Sequence, residues 1–182
     1  MTDHALRPVA SQQGARALVT APRLALTIAL IAATVFLLAA HELVRTVEAR
    51  IVALAIGLVV PGTSDSVADV VVFAAGGPGG LGIQISFMCS TVVLLAPLLL
   101  TAAVVAPFRR FSARNVVRGL AVSSLIAVAA NLARFVMIAY AYHSWGGDGF
   151  DVTHHLVGSL FVIACFVVAF AVLVRTVGRP TP

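Results

Sequence analysis

Four long apolar runs dominate the chain, and short polar or arginine-rich segments separate them. They lie near 22–42 (PRLALTIALIAATVFLLAAHE), 83–106 (IQISFMCSTVVLLAPLLLTAAVVA), 119–142 (GLAVSSLIAVAANLARFVMIAYAY) and 154–174 (HHLVGSLFVIACFVVAFAVLV). Crossing roughly 30 Å of hydrocarbon takes about 20 helical residues, so each run predicts a transmembrane helix. Pro97 inside the second is a candidate kink. A fifth run, 51–60 (IVALAIGLVV), is too short alone. With its lead-in HELVRTVEAR it predicts a tilted helix, a re-entrant piece or an amphipathic helix on the outer surface. In the loop 61–86, VADVVVFAA and LGIQISF are short and β-branched, and GGPGG between them is a turn signal. That pattern predicts a small hairpin leading into the second span.

The expected fold class is therefore an all-α integral membrane protein. It has about four transmembrane helices, an amphipathic or re-entrant segment, and a small extracytoplasmic hairpin-like loop. The expected organisation is a cytoplasmic tail over 1–23, a single membrane domain over 24–175 and a second cytoplasmic tail over 176–182. The first apolar run is not followed by a clear A-x-A cleavage site, so it reads as an anchor and not as a cleaved signal peptide.

Composition agrees: 60% of residues are hydrophobic and 10% are charged, with a mean hydropathy of +1.06. All twelve basic residues are arginine. They occur in short clusters between apolar runs, a distribution that sets membrane topology and does not grip phosphates, so nucleic acid is not an expected partner. The segments 1–23, 107–118 and 175–182 hold three, four and two arginines, with Asp3 as their one acid. The positive-inside rule then places these segments, and both termini, in the cytoplasm. The loops 43–82 and 143–153 face outward on a multi-pass protein of the plasma membrane. A full fifth crossing at 51–60 would carry Arg109, Arg110, Arg114 and Arg118 outside, so that crossing is rejected.

Candidate chemistry follows from depth. Cys89 lies about 9 Å below the outer start of the second span, and Arg134 roughly 12 Å below the outer end of the third. His154 opens the fourth span at the outer surface. Cys165 lies about 16 Å further in and fits less well. A cysteine in an apolar run is by itself a common filler, and His154 with His155 can simply form a wet helix cap. Arg134 is different, because a charge inside an apolar span is costly and normally faces a cavity or a partner. Asn131, three residues earlier on the same face, is placed to bond it or to line the same cavity. Cys89 near a helix start gains thiolate character from the positive dipole end. A histidine near a helix start, capped by Thr153 or Asp151, is expected neutral and competent as a base. Arg134 supplies a fixed charge for a developing oxyanion. Together the three make an acyl-transfer set.

With these residues placed, the chain resembles the exosortase/archaeosortase family of membrane cysteine transpeptidases. The likeness rests on Cys89–Ser90 near the start of one span, NLAR at Asn131–Arg134 in a later one, and HHLVG at His154–Gly158 opening the next. It covers roughly 83–175. Thr91 stands where members often carry glycine, and His155 neighbours the motif histidine. The resemblance implies a compact member that acts on exported proteins with a C-terminal sorting signal, a hydrophobic span and a basic tail. Cys89 would attack a backbone carbonyl, Arg134 would hold the oxyanion, and His154 would protonate the leaving amine. Asn131, Ser90, His155 and Gly158 would support them. A lipid or envelope nucleophile would resolve the thioester, with no metal or organic cofactor. Other readings are a non-catalytic assembly factor with the same core, a metal or haem protein using His41, His143, His154 and His155, and a small transporter.

Overall fold

The computed structural model of the protein describes residues 21–74 and 81–179. Most of the expected N-terminal tail, the glycine-rich turn at 76–80 and residues 180–182 lie outside the described residues. Five helices and one small sheet follow in the order α1 (Ala21–Ala39), α2 (His41–Val59), β1 (Thr63–Val67), β2 (Val70–Ala74), β3 (Leu81–Gln84), α3 (Thr91–Val105), α4 (Ala113–Val152) and α5 (Gly158–Val177). A 3-10 turn at Phe87–Cys89 precedes α3, and a π-helical turn at Thr153–Val157 joins α4 to α5.

Among the described residues, two helical stretches are long and apolar enough to cross a membrane, Ala21–Ala39 and Ala113–Val177. The second folds back on itself. Gly146 has φ 66° and ψ −146°, which breaks the helix and reverses the chain. The two arms pack antiparallel: Gly119 lies against Leu173 and Thr176, and Gly158 lies against Arg134. Positions twelve residues before and twelve after Gly146 therefore meet. The tip, around His143–Val157, carries the polar residues and stands outside the apolar arms. Helix α1 buries only Leu30 and Thr34; Ile28, Val35 and Phe36 point outward, as expected where the solvent is hydrocarbon.

Three sequence expectations change. The run at 83–106 does not form one long helix. Its first third is strand and turn, and α3 keeps 15 residues, about 22 Å of helix. It continues through Pro97, whose carbonyl accepts from the Thr101 hydroxyl at 2.7 Å. The run at 154–174 does not start a helix at His154. The helical path begins after Gly146, and neither the π turn nor α5 has a side-chain cap, so Asp151 and Thr153 do not cap it. The hairpin is a three-stranded antiparallel meander in the order β1-β2-β3. The β2–β3 pair is the expected one, with Val71 opposite Ile83. The polar strand β1 (TSDSV) pairs with β2 across a tight turn at Ala68–Asp69, where Ala68 takes φ 54°.

The fifth run is part of one continuous helix, α2. Ala49, Val52, Ala53 and Ile56 are buried and pack with Val71, Phe73 and Ile83 of the sheet and with Phe135 and Ile138 of α4. Helix α2 is not among the stretches that meet the crossing criterion. A second apolar cluster joins α1, α3, α4 and α5 through Leu30, Leu98, Ala102, Ala127 and Leu173. Buried polar side chains sit between the two clusters: Ser90, Thr91, Asn131 and Arg134. At the opposite end, Arg23 Nη1 donates to the carbonyl of Phe108 at 2.6 Å, and Asn115 Nδ2 donates to the carbonyl of Arg179 at 3.1 Å. The arginines of α1, of the α3–α4 connection and of the C-terminus thus share one end.

Candidate active site

Strand β3 delivers the chain to the site. Ile85 N–H bonds the Asp69 carbonyl at 2.9 Å, while Arg45 pairs with Asp69 at 3.2 Å and donates to the Ile85 carbonyl at 3.3 Å. The sheet is thereby tied to α2 just before the 3-10 turn. Cys89 is the last residue of that turn, half-buried, and not in the helix. Ser90 is extended, and its hydroxyl accepts from Val92 N–H at 3.3 Å, so it is the N-cap of α3. Serine is favoured there because it satisfies one of the helix's free N–H groups.

Helix α4 supplies the other wall. Arg134 is 7% exposed, and its Nη2 approaches Cys89 Sγ at 3.7 Å. Its Nε is buried without a partner. Among the described residues the one ion pair is Arg45–Asp69, so Arg134 pairs with no carboxylate there. A β-carbon at Gly158 would lie 3.0 Å from Arg134 Cγ and 2.7 Å from the Thr153 carbonyl oxygen. Only glycine lets α5 come this close to the arginine stem.

Asn131 does not bond Arg134. Its Nδ2 donates to the Cys89 carbonyl at 2.9 Å and to Glu48 Oε1 at 2.6 Å. Glu48 is the residue that the sequence did not bring forward. Its carboxylate accepts the Ser90 hydroxyl at 2.8 Å and the Thr91 N–H at 3.2 Å to each oxygen. The available signal was an acid set among Val44, Val47, Ile51 and Val52, the apolar residues that line a groove of about 130 Å³ beside Glu48 and Thr91. The polar lead-in of α2 masked it as part of a solvated face.

His154 lies in the π turn, outside the Gly158–Val177 arm. Its ring stacks on Phe150 (5.2 Å, 8°) and meets His155 edge-on at 4.9 Å. Phe150, Tyr142 and Phe73 continue this aromatic ladder down to the sheet. His154 Nδ1 is buried and has no partner, whereas His155 is exposed. Burial pushes the His154 pKa below its ordinary 6.5, with the Arg134 and His155 charges adding to the shift and Asp151 opposing it. The neutral form is therefore favoured by burial and a neighbouring guanidinium, and not by the helix start that the sequence suggested. No hydrogen bond joins His154 to Cys89 among the described residues. Cys165 is a free cysteine two turns beyond Gly158 on α5. Among the described residues no three metal-ligating side chains converge, so His41, His143, His154 and His155 do not gather.

The structure therefore joins Cys89, Ser90, Asn131 and Arg134 directly, with Gly158 against the arginine and His154 within its electrostatic reach. A family model described as transmembrane exosortase matches residues 9–171. The chain belongs to this family. The match spans α1 through the first part of α5 and includes the whole site, and it makes the chain a membrane protein of a sorting-type transpeptidase family. No curated protein and no solved structure matches it.

Proposed function

We propose that the protein is a membrane cysteine transpeptidase that processes exported proteins bearing a C-terminal hydrophobic span and basic tail. The observation that carries this reading is the guanidinium of Arg134 facing Cys89 Sγ at 3.7 Å, with no carboxylate paired to it among the described residues. A buried, unpaired positive charge beside a thiol stabilises both the thiolate and an oxyanion formed next to it.

The reaction runs in two acyl transfers. The neutral imidazole of His154 accepts the thiol proton, and Cys89 sulfur attacks the substrate's backbone carbonyl carbon. Arg134 holds the resulting oxyanion. As the C–N bond breaks, His154 returns the proton to the departing amine, leaving a thioester on Cys89. A hydroxyl or amine from a lipid or envelope component then attacks the thioester, loses its proton to His154 and releases the thiol. Ser90, Asn131 and Gly158 hold the nucleophile and the arginine in place, and His155 flanks His154. In this reading α1, α3 and the two arms of the hairpin cross the bilayer, the chemistry faces the extracytoplasmic side and both termini lie in the cytoplasm.

Replacing Cys89 by alanine tests the reading. The variant is expected to reach the membrane at the normal level and to process a co-expressed substrate at least about 10³-fold more slowly, with no thioester intermediate. Normal processing by Cys89→Ala would leave the protein a non-catalytic assembly factor.

A further inference from the structure

A half-buried carboxylate, Glu48, and a buried guanidinium, Arg134, reach the same site, and charges taken out of water are normally paired. Here they are not. Glu48 comes from α2 and Arg134 from α4, and Asn131, one turn from the arginine, stands on the carboxylate instead. Every contact of Glu48 uses it as an acceptor: the Ser90 hydroxyl, the Thr91 N–H and the Asn131 amide. Two of these three donors belong to the residues that directly follow Cys89, at the positive end of α3. The third also bonds the Cys89 carbonyl at 2.9 Å. With both amide hydrogens committed, Asn131 cannot flip without turning its oxygen on that carbonyl.

We propose that Glu48 is a positioning residue: held by Ser90, Thr91 and Asn131, it clamps the Cys89 turn onto α3 and is itself kept off Arg134, whose guanidinium stays free to face the sulfur. The residue acts through Cys89 and Arg134 and touches no substrate. This inference rests on the transpeptidase reading for its consequence, a faster acyl transfer, but the clamp exists without any substrate.

The test uses the full chain in membranes, in a Cys165→Ala background so that only Cys89 reports. Its alkylation by iodoacetate is compared with that by iodoacetamide. The free guanidinium favours the anionic reagent, and Arg134→Gln sets the baseline without it. In Glu48→Leu no acceptor remains for the three donors, so the turn is released and the thiol leaves the arginine. The anionic preference is then expected to fall at least about threefold, toward that baseline, because a contact of this kind fades steeply with distance. A through-space charge effect has the opposite sign: removing a negative charge eases the approach of an anion.

Thr91→Pro is the second variant, chosen to fold. Ser90 has φ −79° and ψ 150°, a conformation that suits the residue before proline, and proline is tolerated at the first helical position. It replaces the Thr91 N–H by a ring carbon that pushes the Glu48 carboxylate away, and removes the threonine side chain with it, so a fall in preference of at least about twofold is expected. A rise or no change in either variant overturns the proposal. Since alkylation needs no substrate, loss of the transpeptidase reading would show separately, as a wild-type protein that processes nothing yet responds to both substitutions.

Discussion

At the scale of single residues, the histidine makes the sharpest claim. Processing requires a neutral imidazole to take the Cys89 proton. The His154 pKa lies below 6.5 through burial and the Arg134 charge, while Asp151 raises it. The rate is therefore flat at neutral pH and falls as pH drops through that pKa. Asp151→Asn removes the opposing influence, so the acid limb of the pH–rate profile should move to lower pH. A limb at or above 6.5, or one that moves upward in the variant, would exclude this histidine as the base. The residue scale also shows what the sequence made legible. Cys89 and Arg134 were visible because a charge in an apolar run demands a partner, and counting along the predicted helices put both at a similar depth in the outer half of the membrane. Glu48 was hidden because its neighbours His41, Glu42, Arg45 and Arg50 make α2 read as a wet surface. Only the packing of Ala49, Val52 and Ile56 on the sheet turns its carboxylate inward.

Among the elements, the hairpin of α4 and α5 depends on one backbone angle pair. Gly146 at φ 66° and ψ −146° lies where side chains are strained. A Cβ there would meet nothing within 4 Å, so any cost of substitution comes from the backbone alone. Gly146→Val should lower stability by about 1–3 kcal/mol, read as a lower melting temperature in detergent. Gly147→Ala, equally uncrowded and free of positive φ, should be neutral or slightly stabilising. Equal effects of the two would mean that the break at Gly146 is not what reverses the chain. The sequence placed this reversal only as an outward loop over 143–153. The polar strand β1 had no mark at all: TSDSV carries little strand propensity, and it is a strand because β2 offers it a ladder.

For the whole molecule, the claim is orientation. The arginine-rich ends of α1, α3, α4 and α5 lie together, as the Arg23–Phe108 and Asn115–Arg179 bonds show, and the Cys89 turn and hairpin tip lie at the other end. The positive-inside rule assigns the arginine end to the cytoplasm. In intact cells carrying a cysteine-free form, a membrane-impermeant thiol reagent should label Asp148→Cys and spare Ser112→Cys. Labelling of position 112 from outside would invert the topology and move the proposed chemistry to the cytoplasmic face. The gathering of the arginine-bearing segments at one end was readable in the sequence from their spacing between apolar runs. The number of full crossings was less so, because α3 loses its first third to strand and turn.

The π turn at Thr153–Val157 has a consequence for how the chain tolerates length changes. Such a turn is one surplus residue absorbed into an otherwise regular helix. Each residue of a helix advances the azimuth by about 100°. Deleting a single position from His155–Val157 would restore α-helical winding, rotate everything between Gly146 and the deletion by that angle, and carry the His154 ring away from the Arg134 face while α5 stayed in place. An inserted residue would do the same in the opposite sense. The spacing between the asparagine–arginine pair and the histidine–glycine pair is therefore a phase relation as much as a distance, and length variation in this hairpin belongs at its Gly146 tip, on the α4 side of the helical path that carries the histidine.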